Sequence, residues 1–186
     1  METGFFPPNS LSDRPDLHRF VADWFGKYLE AMGEVPLFPP GPTTMFRCLC
    51  LPTFDRPSVV RIESHGLTWL MCCKRMSGDG GFTVGVVDWR VDRTLTLKEA
   101  ARVAAAFADL RFWESAAFIN DYGLDGTTWL LEGVSRGTYH AVRRWEPEPN
   151  STFGRLCTLM LELGNAGTML ERFRRWLATL AGTASR

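Results

Sequence analysis

The 186-residue sequence predicts an α+β fold in which one antiparallel sheet packs with four helices. Two groups of strand patterns support this fold class: a meander of three to four strands and, further along, a hairpin. Helix patterns flank them as an N-terminal helix, a central helix and two C-terminal helices. Strands and helices do not alternate as they do in a parallel, doubly wound sheet. The length suits a single domain over residues 1–186.

The N-terminal region predicts an arm followed by an amphipathic helix. Residues 1–12 show no apolar periodicity and are expected to form a loose arm. After Pro15, which suits a first helical turn, large apolar residues recur at helical spacing until Gly33, a typical stop signal. We expect this apolar stripe to pack on the sheet, with Trp24 among the most buried residues; the alternative is a helix that binds a partner. The stripe consists of Leu17, Phe20, Val21, Trp24, Phe25, Tyr28, Leu29 and Met32.

The meander follows a proline-rich connector. Alternating or continuous apolar patterns predict strands at Met45–Leu51, Ser58–Glu63 and Leu67–Arg75. The glycine-rich stretch Ser77–Gly81 predicts a flexible loop. After it, Phe82–Val87 is expected to form a fourth, short strand or an extended edge.

The second half of the chain carries the remaining elements. A capping box at Thr96–Glu99 predicts a helix that ends near Leu110. Thr127–Val134 and Thr138–Trp145 predict a hairpin, and Gly126 is expected in the turn before it with a positive φ.

Two helices are predicted at the C-terminal end. The first covers about Thr152–Leu163, and the second begins at another capping box, Thr168–Glu171.

Composition excludes several classes of function. The 21 basic residues balance 21 acidic ones, whereas proteins that neutralise nucleic-acid phosphates carry a basic excess, so we do not expect nucleic acid as a partner. Neither a signal peptide nor a stretch of ~20 apolar residues is visible, so we expect a cytoplasmic protein that does not bind membranes.

The cysteines indicate core thiols. Their spacing lacks the paired C-x₂-C or C-x₂…H arrangement of zinc sites, so we expect neither a metal nor another cofactor. The five are Cys48, Cys50, Cys72, Cys73 and Cys157.

A set of motifs extends over about residues 43–164. Its clearest parts are Phe112-Trp113, Gly123–Gly133, Tyr139-His140, Arg144–Pro147 and Cys157–Leu163. These motifs resemble a family of uncharacterised bacterial proteins with the pattern FW…GLDGxxWxLEG…YHxVxRWxPE…CxxLLxL. The resemblance implies common descent, and it brings no known activity with it.

One polar cluster contains candidate catalytic residues. In the predicted hairpin Glu132 and His140 lie nearly opposite one another, and a carboxylate beside an imidazole can orient a general base. With Asp125 they are the candidate catalytic residues of a small hydrolase or ligand-binding domain. No Ser or Cys nucleophile is placed beside them, so a structural role, with no catalytic residues, is the favoured interpretation.

Aromatic and arginine residues suggest binding instead. The chain has seven tryptophans, and 18 of its 21 basic residues are arginine; both residue types are enriched at interface hot spots. The favoured hypothesis is a non-enzymatic interaction protein, an adaptor, inhibitor or immunity-type module that binds another protein, for example in phage defence. The sequence leaves its oligomeric state open. The candidate binding residues are Trp89, Arg90, Arg143, Arg144 and Trp145.

Overall fold

The computed structural model describes residues 4–119, 121, 123 and 125–164, which form one six-stranded antiparallel sheet with helices on both faces. The strands are β1 (Met45–Pro52), β2 (Ser58–His65), β3 (Thr68–Met76), β4 (Val87–Thr94), β5 (Thr127–Ser135) and β6 (Thr138–Trp145). The helices in this part of the chain are α1 (Pro15–Ala31), α2 (Leu97–Asp109), a short 3₁₀ turn (Phe112–Glu114) and α3 (Thr152–Leu163). The predicted α+β class is thus confirmed. The fourth predicted helix, at Thr168, lies outside the described residues.

The sheet joins the meander to the hairpin through its central strand. The strand order is β4-β3-β2-β1-β5-β6, so β1 pairs with β2 on one side and with β5 on the other. In this register Arg47 lies between Arg61 of β2 and Glu132 of β5. Every residue of β1 from Phe46 to Leu51 is buried, because helices cover both faces of the sheet.

Alternate residues of β1 enter two separate apolar cores. Cys48 and Cys50 belong to the core beneath α2 and α3. Leu49 and Leu51 belong to the core beneath α1. This is the alternation that a strand of period two requires.

Helix α1 packs on the sheet, as predicted. Phe25, Tyr28 and Leu29 are almost fully buried against it. The stripe is not buried evenly, however, since Phe20 is exposed and Trp24 is only half-buried. Trp24 lies at the border of the interface, where its ring stacks on Phe25 with centroids 5.2 Å apart.

The prediction of a loose arm is wrong for residues 4–12. Phe5 and Leu11 are buried in the core beneath α1, and the Leu11 N–H donates to His18 Nδ1 at 3.4 Å. Two separated apolar side chains hold this segment, although it has no helical or strand periodicity to reveal them.

The fourth strand is displaced from its predicted place. It begins at Val87 and ends at Thr94, whereas Phe82–Val87 was the expected strand. Residues 77–86 form a loop between β3 and β4. Trp89 and Val91 therefore lie within β4 and pack against the core beneath α2 and α3.

The central helix begins as its capping box predicts. The Thr96 hydroxyl accepts from the Glu99 N–H at 3.2 Å, and the Glu99 carboxylate accepts from the Thr96 N–H at 2.8 Å. The helix buries Val103 and Phe107, and Phe107 stacks on Phe46 with centroids 4.0 Å apart.

None of the helices in the described residues is long and apolar enough to span a membrane.

The turn before β5 has the geometry predicted from Asp125-Gly126. Gly126 has φ +146°, a conformation that a side chain makes costly. Its carbonyl accepts from the Thr53 N–H at 2.8 Å, which joins this turn to the end of β1.

The unequal burial of the α1 stripe gives a stability prediction. Phe25→Ala should lower the free energy of unfolding by about 3–5 kcal/mol, because it empties a fully buried site. Trp24→Ala should cost no more than about 2 kcal/mol, since the ring is already partly in water. Urea denaturation followed by circular dichroism measures both. A larger loss for Trp24→Ala would contradict the packing described for α1.

Candidate functional site

The structure separates the three candidate catalytic residues. In the hairpin Glu132 pairs with Ala141 and His140 pairs with Gly133, so the two lie one residue out of register. Successive residues of a strand point to opposite faces, so Glu132 lies on the α1 side and His140 on the α2 side. Asp125 is exposed in the turn before β5, and Glu132 lies five residues, about 17 Å, beyond the start of that strand. The predicted Glu132–His140 proximity is therefore wrong.

Glu132 belongs instead to a buried ion-pair network. Its carboxylate accepts from Arg47 Nε at 2.8 Å, lies 2.7 Å from Arg47 Nη2, and accepts from the Tyr139 hydroxyl at 3.0 Å. Both charged side chains are fully buried. Burial raises the pKa of the Glu132 carboxyl, and the Arg47 guanidinium opposes that rise. A carboxylate sealed in this way cannot reach a substrate.

The same network extends to the connector after α1. Glu34 is buried and lies 2.9 Å from Arg61 Nε, 2.7 Å from Lys74 Nζ and 3.6 Å from Arg47. Lys74 also donates to the Met32 carbonyl at 2.7 Å, and Arg47 donates to the carbonyl of residue 35 at 2.7 Å. These contacts attach the C-terminal end of α1 to three strands.

His140 has a structural partner on the other face. Its Nε2 is 2.9 Å from the Ser115 carbonyl, to which it donates, and its ring meets Phe112 edge-on at 5.1 Å. Burial lowers the pKa of the imidazole, so the neutral ring is favoured. His140 thus anchors the segment that follows the 3₁₀ turn.

Three of the five candidate binding residues hold that same segment against β6. Arg143 is buried and donates to the carbonyls of Ile119 and Asp121 at 3.1 and 3.2 Å. Arg144 donates to the Ala116 carbonyl at 2.9 Å, and the Trp145 N–H donates to Asp121 Oδ2 at 2.7 Å. These side chains support the fold of the chain itself.

The other two candidates lie at the far edge of the sheet. Trp89 and Arg90 are in β4, separated from β6 by four strands, or roughly 24 Å. Arg75 lies over the Trp89 ring, with the guanidinium 5.7 Å from its centroid. The five residues therefore do not form one continuous binding surface.

The five cysteines are free thiols in the core. All are buried, and burial raises the pKa of the Cys73 thiol to about 12 and that of Cys50 and Cys157 well above the usual value. Thiols in this state are poor nucleophiles.

Two strongly exposed aromatic side chains lie together at the end of the sheet where β1 ends and β4 begins. Phe54, in the loop after β1, is 68% exposed, and Phe82, in the loop before β4, is 70% exposed. Their rings stack with centroids 5.9 Å apart, and we call them the exposed Phe pair. The sequence pattern does not reveal this pair, because Phe82 lies in a predicted strand and Phe54 stands alone between polar neighbours.

Hydrogen bonds from a side chain and from the backbone close the loop that carries Phe82. The Asp79 carboxylate accepts from the N–H groups of Phe82 and Thr83 at 2.7 and 3.0 Å. The Gly80 N–H donates to the Pro52 carbonyl at 2.9 Å. The loop expected to be flexible is thus closed by the Asp79 side chain and joined to the end of β1.

Helix α1 also contacts this loop. Trp24 Nε1–H donates to the Gly80 carbonyl at 3.2 Å, and the Tyr28 hydroxyl donates to the Asp79 carbonyl at 2.8 Å. The exposed Phe20 lies one helical turn before Trp24. The exposed Phe pair therefore stands on a support made from α1 and two loops.

Charged residues border the exposed Phe pair. Arg56, two residues after Phe54, pairs with Asp88 at 2.7 Å, and Arg75 lies 3.5 Å from the same carboxylate. An apolar centre with a polar border is the usual anatomy of a protein interface.

No protein-family model matches the chain, and no curated protein has a significantly similar sequence. The family suggested by the motifs at residues 112–163 stays a prediction.

The buried network gives a prediction about stability. Glu132→Gln should lower the free energy of unfolding by about 3–5 kcal/mol, because it leaves the buried Arg47 charge short of its closest carboxylate. Glu114→Gln is the matched control, since Glu114 pairs with Arg111 in an exposed pair and should cost about 0–1 kcal/mol. Chemical denaturation measures both, and equal losses would contradict the role given to Glu132.

The loop geometry gives a second prediction. Gly80→Ala would place a Cβ too close to the Pro52 carbonyl oxygen, so it should cost about 1–3 kcal/mol and loosen the loop. Gly41→Ala, where a Cβ has no neighbour within 4 Å, serves as the control. Thermal unfolding and amide hydrogen exchange of residues 79–83 measure the effect. An unchanged exchange rate in Gly80→Ala would show that the loop is not held by this contact.

Proposed function

We propose that this chain is a protein-binding module that engages its partner through the exposed Phe pair, Phe54 and Phe82. Stacked aromatic rings in water are costly for a monomer, and large aromatic side chains dominate the energetics of interfaces. The observation that carries the proposal is the fixed display of both rings at one end of the sheet.

Preorganisation supports the same proposal. The Asp79 carboxylate, the Gly80 backbone and the Trp24 indole all hold the loop that presents Phe82. A side chain that is already ordered loses little conformational entropy when a partner binds, which favours affinity.

The border of the pair suggests how a partner would be selected. Asp88 is shared between Arg56 and Arg75, so both signs of charge lie next to the apolar centre. Charges at the rim of an interface set the rate of association and the choice of partner more than the affinity.

An adaptor, inhibitor or immunity-type role in a bacterial cytoplasm needs only such a surface. The alternative, a hydrolase or ligand-binding domain that uses Asp125, Glu132 and His140, has no support in the geometry, because the three residues do not converge. We therefore place the function at the exposed Phe pair.

The test compares three forms of the tagged protein in the cells from which it comes. These are the wild type, a double variant Phe54→Ser/Phe82→Ser, and the control Leu67→Ser. Leu67 is 91% exposed in the β2–β3 turn, at the opposite end of the sheet. All three changes are at exposed sites, and circular dichroism checks that each variant folds.

The expected result is a partner protein retained by the wild type and by Leu67→Ser and lost by the double variant. With that partner purified, calorimetry should give a dissociation constant about 30-fold weaker for the double variant, the effect of losing a hot spot of about 2 kcal/mol. Equal binding by all three forms, or a wild type that retains no protein, would disprove the proposal.

A further inference from the structure

The two edges of the sheet differ in how they are protected. At the β6 edge, the segment after the 3₁₀ turn lies alongside the strand: the Arg143 N–H donates to the Ala117 carbonyl at 2.7 Å, and the Trp145 N–H donates to the Asp121 carboxylate at 2.7 Å. At the other edge, β4 pairs with β3 alone as far as the described residues go. A strand with one neighbour presents unpaired N–H and C=O groups to any second strand.

The charges of β4 follow a pattern that suits one particular second strand. Asp88, Arg90 and Asp92 alternate in sign along one face of the strand. Arg90 and Asp92 are 56% and 53% exposed, and they pair with each other at 2.5 and 2.9 Å. A run of one charge would repel a copy of itself, whereas alternating signs can match it.

We propose that two copies of the chain pair through β4, antiparallel, about a twofold axis at Val91. In this register Arg90 of each copy lies opposite Asp92 of the second copy, and Val91 lies opposite Val91. Trp89 lies opposite Arg93, and Asp88 lies opposite Thr94. Seven residues of each β4, from Asp88 to Thr94, take part, and a continuous antiparallel sheet runs through both copies.

Charge selects this register over its neighbours. A twofold axis perpendicular to the sheet pairs residues whose side chains lie on the same face of the sheet. The axis must therefore pass beside a residue of β4, and the next possible register places it beside the next residue. An axis at Arg90 places Arg90 opposite Arg90 and Asp88 opposite Asp92, and an axis at Asp92 places Asp92 opposite Asp92. Both arrangements bring like charges together, which destabilises a strand pair. An axis at Trp89 matches the charges but shortens the paired segment and centres it next to the bulge at Arg75/Met76.

The dimer goes beyond the proposed binding of another protein and does not depend on it. The exposed Phe pair lies at the end of the sheet where β4 begins. Because the two β4 strands run in opposite directions, the two Phe pairs would face opposite ends of the assembly. Each dimer would then offer two equivalent surfaces.

The experiment is a charge swap followed by measurement of mass in solution. Sedimentation equilibrium over a range of concentrations compares the wild type, Arg90→Asp, Asp92→Arg and the double variant Arg90→Asp/Asp92→Arg. Arg102→Asp, at an exposed position of α2, controls for charge reversal away from the edge. Circular dichroism confirms that each exposed substitution leaves the fold intact.

The wild type and Arg102→Asp should approach twice 21.0 kDa as concentration rises. Each single variant should dimerise at least tenfold more weakly, because the twofold axis repeats the like-charge contact. The double variant should recover the wild-type constant, since it restores opposite charges at the same positions. A wild type that is monomeric at every concentration, or single variants that dimerise as well as the wild type, would overturn the proposal.

Discussion

The arrangement of this protein depends on one charged side chain in its central strand. Arg47 lies in β1, which is buried on both faces, and its side chain has no contact with solvent. A buried charge without a partner costs several kcal/mol, so the fold must bring carboxylates to it. Glu132 approaches from β5 and Glu34 from the connector after α1.

The need to neutralise Arg47 constrains the pairing of β1 with β5 and the position of α1 over the sheet. Arg47 and Glu132 are direct neighbours across the β1–β5 ladder, so a slip of one residue would move Glu132 to the opposite, apolar face. Glu34 is shared with Lys74 and Arg61, which brings β2 and β3 into the same network. The helix that precedes Glu34 is thereby set over the sheet, and α1 in turn supports the loop that displays Phe82.

Local signals in the sequence were sufficient for most elements. Helix α3 and strand β6 have the predicted bounds, and α2 begins at its capping box. The prediction failed for β4, because Phe82–Val86 has the composition of a strand but is held as a loop by the Asp79 carboxylate and the Gly80 backbone. It failed for the Glu132–His140 pair because an offset of one residue in a hairpin reverses the face of a side chain.

The sequence by itself determined the α+β class, the two strand groups and the apolar stripe of α1, since periodicity and caps act over a few residues. Only the tertiary structure decided that Arg47 meets Glu34 and Glu132, because these contacts join positions 13 and 85 residues apart along the chain. It also decided that Phe54 and Phe82 remain exposed while Phe5 and Leu11 are buried. Whether a hydrophobic side chain is buried or exposed depends on where the backbone places it. That placement depends on contacts between segments that are distant in the sequence.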